Sequence, residues 1–81
     1  MSAAIACTSV YEKRVGKILR TEERNAMKLH VADNPEMHPV VAGTGGVRKA
    51  RWGRHGKGKR GGVRVVYFYR SAADVVYFLD I

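Results

Sequence analysis

The stretch Gly62-Val63-Arg64-Val65-Val66-Tyr67-Phe68-Tyr69-Arg70, followed by Ser71-Ala72-Ala73-Asp74 and then by Val75-Val76-Tyr77-Phe78-Leu79-Asp80-Ile81, decides the fold. Two runs rich in Val, Tyr and Phe flank four small or polar residues, and β-branched and aromatic side chains favour extended chain. The pattern predicts strands over 62–70 and 75–81 joined by a tight turn. The final run is almost wholly apolar, which suits a central strand covered on one face by helices. Side chains alternate along the earlier run. Arg64, Val66, Phe68 and Arg70 therefore share one side, and Val63, Val65, Tyr67 and Tyr69 share the other.

Working outward toward the N-terminus, Gly53 to Gly61 reads as a Gly-rich loop and Val47 to Trp52 as a further strand, preceded by a turn at Gly43-Thr44-Gly45-Gly46. If these strands pair around the loop, Lys49, Arg51 and Arg64 line one concave surface. Before the turn the periodicity is helical. Tyr11, Val15, Ile18 and Leu19 recur at helical spacing within 11–20, and a second helix is expected after Thr21 as N-cap, with Glu22 and Glu23 in its first turn. Met27 and Val31 form its apolar edge, Asn34-Pro35 ends it near Asp33, and Pro39 keeps the next segment extended. An edge strand near Ile5 is weakly signalled. The expected architecture is α+β: a single domain over 1–81, with a helical hairpin (1–33) packed on a small antiparallel sheet (47–81).

Length and composition bound the rest. A chain of 81 residues has room for one domain and buries roughly 60% of its unfolded surface. Its hydrophobic fraction of 46%, gathered into runs, argues for a folded chain. Cys7 is the single cysteine, so no intramolecular disulfide forms and no thiolate zinc site can be assembled. Ser2 to Val10 has no Lys or Arg ahead of its apolar part and does not read as a signal peptide. Nothing approaches the roughly 20 apolar residues of a membrane span. The expectation is a soluble, cytoplasmic protein with no membrane partner.

The net charge of +8 is distributed unevenly. Arg48, Lys49, Arg51, Arg54, Lys57, Lys59, Arg60 and Arg64 fall within 17 residues that contain no Asp or Glu. The other 7 Lys and Arg are matched by all 7 Asp and Glu, so the whole excess is local. Like charges this dense lie within a Debye length of about 8 Å and repel, which disfavours the fold unless a counter-charge arrives. Phosphate supplies one.

Several strings resemble nucleotide chemistry without completing it. Gly53-Arg54-His55-Gly56-Lys57-Gly58-Lys59-Arg60 lacks the final Ser or Thr of a phosphate-binding loop, whose hydroxyl holds magnesium, and strand-forming residues follow where a helix belongs. Gly56 to Gly61 fits the dinucleotide-binding string and fails for the same reason. Its glycines still let backbone N–H groups approach a phosphate closely. His30, His38 and His55 lie on separate elements with no ligand spacing, so neither metal nor cofactor is expected. Within the basic loop, positive neighbours favour a neutral His55, which reads either as a general base or as a plain loop residue. Trp52, Tyr67, Tyr69 and Tyr77 are candidates for stacking on bases, with core packing as the alternative for Tyr67 and Tyr77.

The strings Gly43-Thr-Gly-Gly-Val-Arg-Lys-Ala-Arg-Trp52 and Gly56-Lys-Gly-Lys-Arg-Gly-Gly-Val-Arg-Val-Val-Tyr67 resemble the RelE/ParE toxin superfamily, in particular its HigB-like branch. The resemblance covers about residues 34–81. It implies a compact α+β bacterial toxin of a type II toxin-antitoxin system, which inhibits translation by cleaving mRNA in the ribosomal A site. It also implies a metal-independent endoribonuclease, in which the mRNA 2'-hydroxyl attacks the adjacent phosphodiester and basic residues stabilise the charge that builds on phosphorus. By position, Lys49, Arg51 and Arg64 match the family's catalytic cations. Arg48, Trp52, Arg54, His55, Lys57, Lys59 and Arg60 are then expected to hold RNA. The implied partners are the ribosome with its mRNA and a cognate antitoxin protein. Family members continue into a Tyr-x-Lys-Asn-like segment and a C-terminal helix, and this sequence is expected to lack them after Ile81. A catalytically inactive relative that binds RNA or an antitoxin without cleavage, and a gyrase-poisoning relative, are the competing expectations.

Overall fold

The structure, a computed structural model, describes residues 2–53 and 62–81. The elements run β1 (Ala4–Cys7), α1 (Ser9–Ile18), α2 (Thr21–Asp33), β2 (Val47–Trp52), β3 (Val63–Arg70) and β4 (Val75–Asp80). The strands lie in the order β1-β4-β3-β2, so the last run of the sequence is an interior strand, as its apolar composition requires. β2, β3 and β4 form the expected antiparallel meander. β1 adds a parallel edge against β4, with Ile5 opposite Val76, which makes the sheet mixed rather than purely antiparallel.

Both helices pack on one face of this sheet. α1 begins at Ser9, earlier than its apolar spacing suggests, because Thr8 caps it: the Tyr11 N–H donates to the Thr8 hydroxyl at 3.1 Å. The same hydroxyl donates to the Leu79 carbonyl at 2.8 Å and ties the helix start to the end of β4. In α2, Thr21 is the first helical residue and not the N-cap. Arg20 takes that position, and its N–H donates to Glu23 Oε1 at 3.3 Å. Tyr11, Val15, Leu19, Met27 and Val31 from the helical layer meet Ala50, Val65, Tyr67, Val76 and Phe78 from the sheet. Tyr11, Tyr67 and Phe78 are fully buried, and burial of the Phe78 ring contributes about 1.5–3 kcal/mol by leaving water.

The chain after α2 turns back onto the outer edge of β2. Val40 bridges to Arg48, the Val41 N–H donates to the Val47 carbonyl at 2.7 Å, and the Lys49 N–H donates to the Pro39 carbonyl at 3.1 Å. This covers part of an edge that would otherwise offer unpaired backbone groups. The turn at 43–46 returns the chain into β2. Gly46 sits there at φ 120°, where an added Cβ would lie 3.2 Å from the Phe68 ring.

Candidate nucleic-acid interface

β2 pairs with β3 in a register that sets Arg51 directly opposite Arg64, and Lys49 opposite Val66. The N–H groups of Lys49 and the C=O of Val47 point outward to the 39–41 segment, so odd-numbered β2 residues turn their backbone polar groups away from β3. The Arg51–Arg64 pair is therefore of the non-hydrogen-bonded kind, in which facing side chains lie closest. Two guanidinium groups directly across from each other repel, at a cost of about 0.2–1 kcal/mol. Among the described residues neither has an acidic partner: the ion pairs are Arg14–Asp80, Arg20–Glu23 and Lys28–Glu12.

The period-2 rule divides the residues read as RNA-binding between two faces. Lys49, Arg51 and Arg64 project from the face that carries no helix, together with Val47, Val66, Phe68 and Arg70. Arg51 and Arg64 are exposed, and Lys49 is half-buried. Arg48 and Trp52 belong to the helix-covered face with Ala50. Arg48 Nη1 donates to the carbonyls of His38 (2.6 Å) and Glu36 (3.1 Å), pinning the segment between α2 and β2. The Trp52 ring packs against His30 with centroids 5.4 Å apart and borders the core. Both therefore stand apart from the cation face for a reason their charge and aromaticity conceal, the parity of their positions on β2. Arg54, His55, Lys57, Lys59 and Arg60 lie outside the described residues.

A cleft of about 290 Å³ opens at the β2 edge, lined by His38, Pro39, Lys49 and Arg51. His38 was silent in the sequence as a site residue. It arrives because Pro35 to Pro39 fold back onto β2, held by Arg48 and by the Tyr67 hydroxyl, which donates to the Pro35 carbonyl at 2.9 Å. Its ring stands edge-on to Tyr67, with centroids 6.2 Å apart, and beside His30 at 5.5 Å. Burial, followed by the nearby His30 and Arg48, pushes the imidazole below the ordinary histidine range and favours its neutral form. Its Nε2 is shut off from solvent without a hydrogen-bond partner.

Gly62 closes the basic hairpin on the β3 side. A Cβ at this position would overlap the Trp52 carbonyl oxygen, so no other residue fits without moving the backbone. Among the described residues no group of three or more His, Cys, Asp or Glu side chains is placed to hold a metal ion. No helix among the described residues is long and apolar enough to cross a membrane.

Two helices on one face of a four-stranded mixed sheet, with a basic strand pair on the opposite face, define an α+β fold of the RelE-like kind. A solved structure of the E. coli toxin RelE, a double arginine-to-alanine mutant in the free state, matches with a TM-score of 0.72. The match spans 99% of this chain and 81% of that one at 18% identity. No protein-family model matches the sequence.

Proposed function

We propose that this chain is a RelE-type toxin of a type II toxin-antitoxin system, of the HigB-like branch, acting in the bacterial cytoplasm as a ribosome-dependent endoribonuclease. The observation that carries the reading is the Arg51–Arg64 pair beside Lys49: three cations gathered on an open sheet face, two of them facing each other, with no described acidic partner. Such an arrangement is unfavourable in isolation and becomes favourable against a polyanion.

In this reading the mRNA 2'-hydroxyl loses its proton to solvent as its oxygen bonds to the adjacent phosphorus, the bond from phosphorus to the 5'-oxygen breaks, and that oxygen takes up a proton from solvent. Lys49, Arg51 and Arg64 stabilise the additional negative charge on the phosphorane oxygens, and fixed charges of this kind act without reorganising. His38, held toward its neutral form, borders the same cleft. Arg48 and Trp52 support the interface from beneath, while Arg54, His55, Lys57, Lys59 and Arg60 are assigned to RNA on their sequence alone. The cognate antitoxin would bind so as to neutralise this surface.

Induced expression with and without Lys49→Glu, Arg51→Glu and Arg64→Glu, followed by growth and mRNA integrity, tests the proposal. The native chain should arrest growth and create new 5' ends within codons on translating ribosomes, and the triple variant should do neither. Growth arrest of equal strength by both would refute the site. Binding to ribosomes without new 5' ends would leave a silent RNA-binding relative, and inhibited supercoiling in place of cleavage would move the chain to the gyrase-poisoning mode.

A further inference from the structure

The open sheet face holds more than cations. Phe68 on β3 and Tyr77 on β4 are register partners, both half-buried, and both project away from the helices. Lys49 lies diagonally across β2–β3 from Phe68, at the roughly 7–8 Å spacing of such neighbours, with Val66 between them on the same face. Phe68 packs close to the turn at 43–46, where an added Cβ at Gly46 would press on its ring at 3.2 Å. No Asp or Glu stands among the described residues of this face, because Asp80 turns to the helical side and meets Arg14 at 3.3 Å.

We propose that Phe68 and Tyr77 form a base-stacking platform beside the phosphate-binding cations, so that the ligand of this face is a single-stranded polynucleotide with its bases unstacked. This rests on the RNA-directed reading above and narrows it. Every base presents a π-face, and aromatic side chains on a sheet flanked by cations take up single strands by stacking while the cations hold the backbone. A duplex keeps its π-faces covered and cannot use the platform. Of the four aromatic residues that the sequence offers for stacking, only Tyr77 lies on this face. Trp52 packs on His30, Tyr67 is buried, and the Tyr69 hydroxyl donates to Asp74 at 2.7 Å. Phe68 carries no polar handle that would single it out in a sequence.

The test compares a labelled single-stranded RNA oligonucleotide, the same strand with abasic positions, and a duplex of equal charge, each titrated with native protein and with Phe68→Leu, Tyr77→Leu and the triple glutamate variant. Leucine keeps the face apolar, and a thermal melt confirms that each variant is folded. Each leucine variant should lose about 5- to 150-fold in affinity for the intact strand with an unchanged salt dependence, and should no longer distinguish it from the abasic strand. Equal affinity of native protein for intact and abasic strands, or no loss in the leucine variants, overturns the platform while leaving the cation site standing. Binding that the glutamate variant does not weaken removes the cation site and the platform together. Leucine variants that keep RNA affinity but lose an acidic helical peptide would assign the face to a protein partner and also overturn the proposal.

Discussion

The two faces of the sheet use the same residue types to opposite ends. On the helical face, Arg48 satisfies its guanidinium with the Glu36 and His38 carbonyls. Three residues further on, Arg51 turns the other way and meets Arg64 across the strand pair. Tyr67 is buried with its hydroxyl bonded to a backbone carbonyl, while Phe68, its neighbour in sequence, lies on the open face. One side thus buries its aromatic and aliphatic residues against the helices and carries the stability. The other leaves like charges facing each other, and a stretch of fold that is worse alone than it need be is better explained by a ligand than by packing.

The largest effect should come from the covered side. Phe78→Ala removes a ring in contact with Tyr11 and Tyr67, at centroid distances of 5.3 and 6.2 Å, and should cost about 3–5 kcal/mol, read as a fall in the urea midpoint. Single replacement of Arg51 or Arg64 by Gln should not lower that midpoint, and relief of the facing charge should raise it by the equivalent of up to about 1 kcal/mol, while cleavage falls by roughly 10²- to 10³-fold in single turnover. Comparable effects of both kinds at both positions would dissolve the distinction between the faces.

Smaller changes sharpen it. Arg48→Ala leaves two carbonyls without their charged donor and should cost about 1–3 kcal/mol, and it should weaken RNA binding only through the displaced 35–40 segment. His38 supplies a pH dependence. Its folded pKa lies below its unfolded value of about 6.5, so the unfolded chain binds the proton more readily and the stabilisation is complete above that pH. Stability should fall as the pH drops below about 6.5 toward the depressed pKa, and His38→Gln should remove that part of the decline in a series of melts. The groups facing the ring are His30 and Arg48. Smallest of all, Arg51→Thr removes the facing charge and should raise stability by up to about 1 kcal/mol while weakening RNA binding, the opposing signs expected of a residue kept for its ligand.

Much of this arrangement is legible in the sequence, for reasons that can be named. β3 and β4 declare themselves through long β-branched and aromatic runs, β2 is bracketed by Gly-rich segments of sequence on either side, and the turn before it has residues that accept positive φ, as Gly43, Gly45 and Gly46 do. β1 is nearly silent because Ala-Ile-Ala-Cys has little strand preference and is held by β4, a partner 71 positions away in register. The start of α2 is misread because Thr21 has the side chain of a cap while Arg20 has the backbone of one. Charge density alone groups Arg48 and Trp52 with Lys49 and Arg51, whereas strand parity separates them. His38 and Phe68 escape a reading by residue type altogether: one reaches the cleft through a fold-back of the chain, and the other acquires meaning only from the face on which it lies.

In the proposed function Lys49, Arg51 and Arg64 act together on phosphate. The most direct measurement is the dependence of single-stranded RNA affinity on salt for the native chain and for variants with one, two and three of these cations changed to Gln. Log affinity should fall linearly with log salt, with a slope that decreases by about 0.7 for each cation removed. An unchanged slope in the triple variant would contradict that joint role.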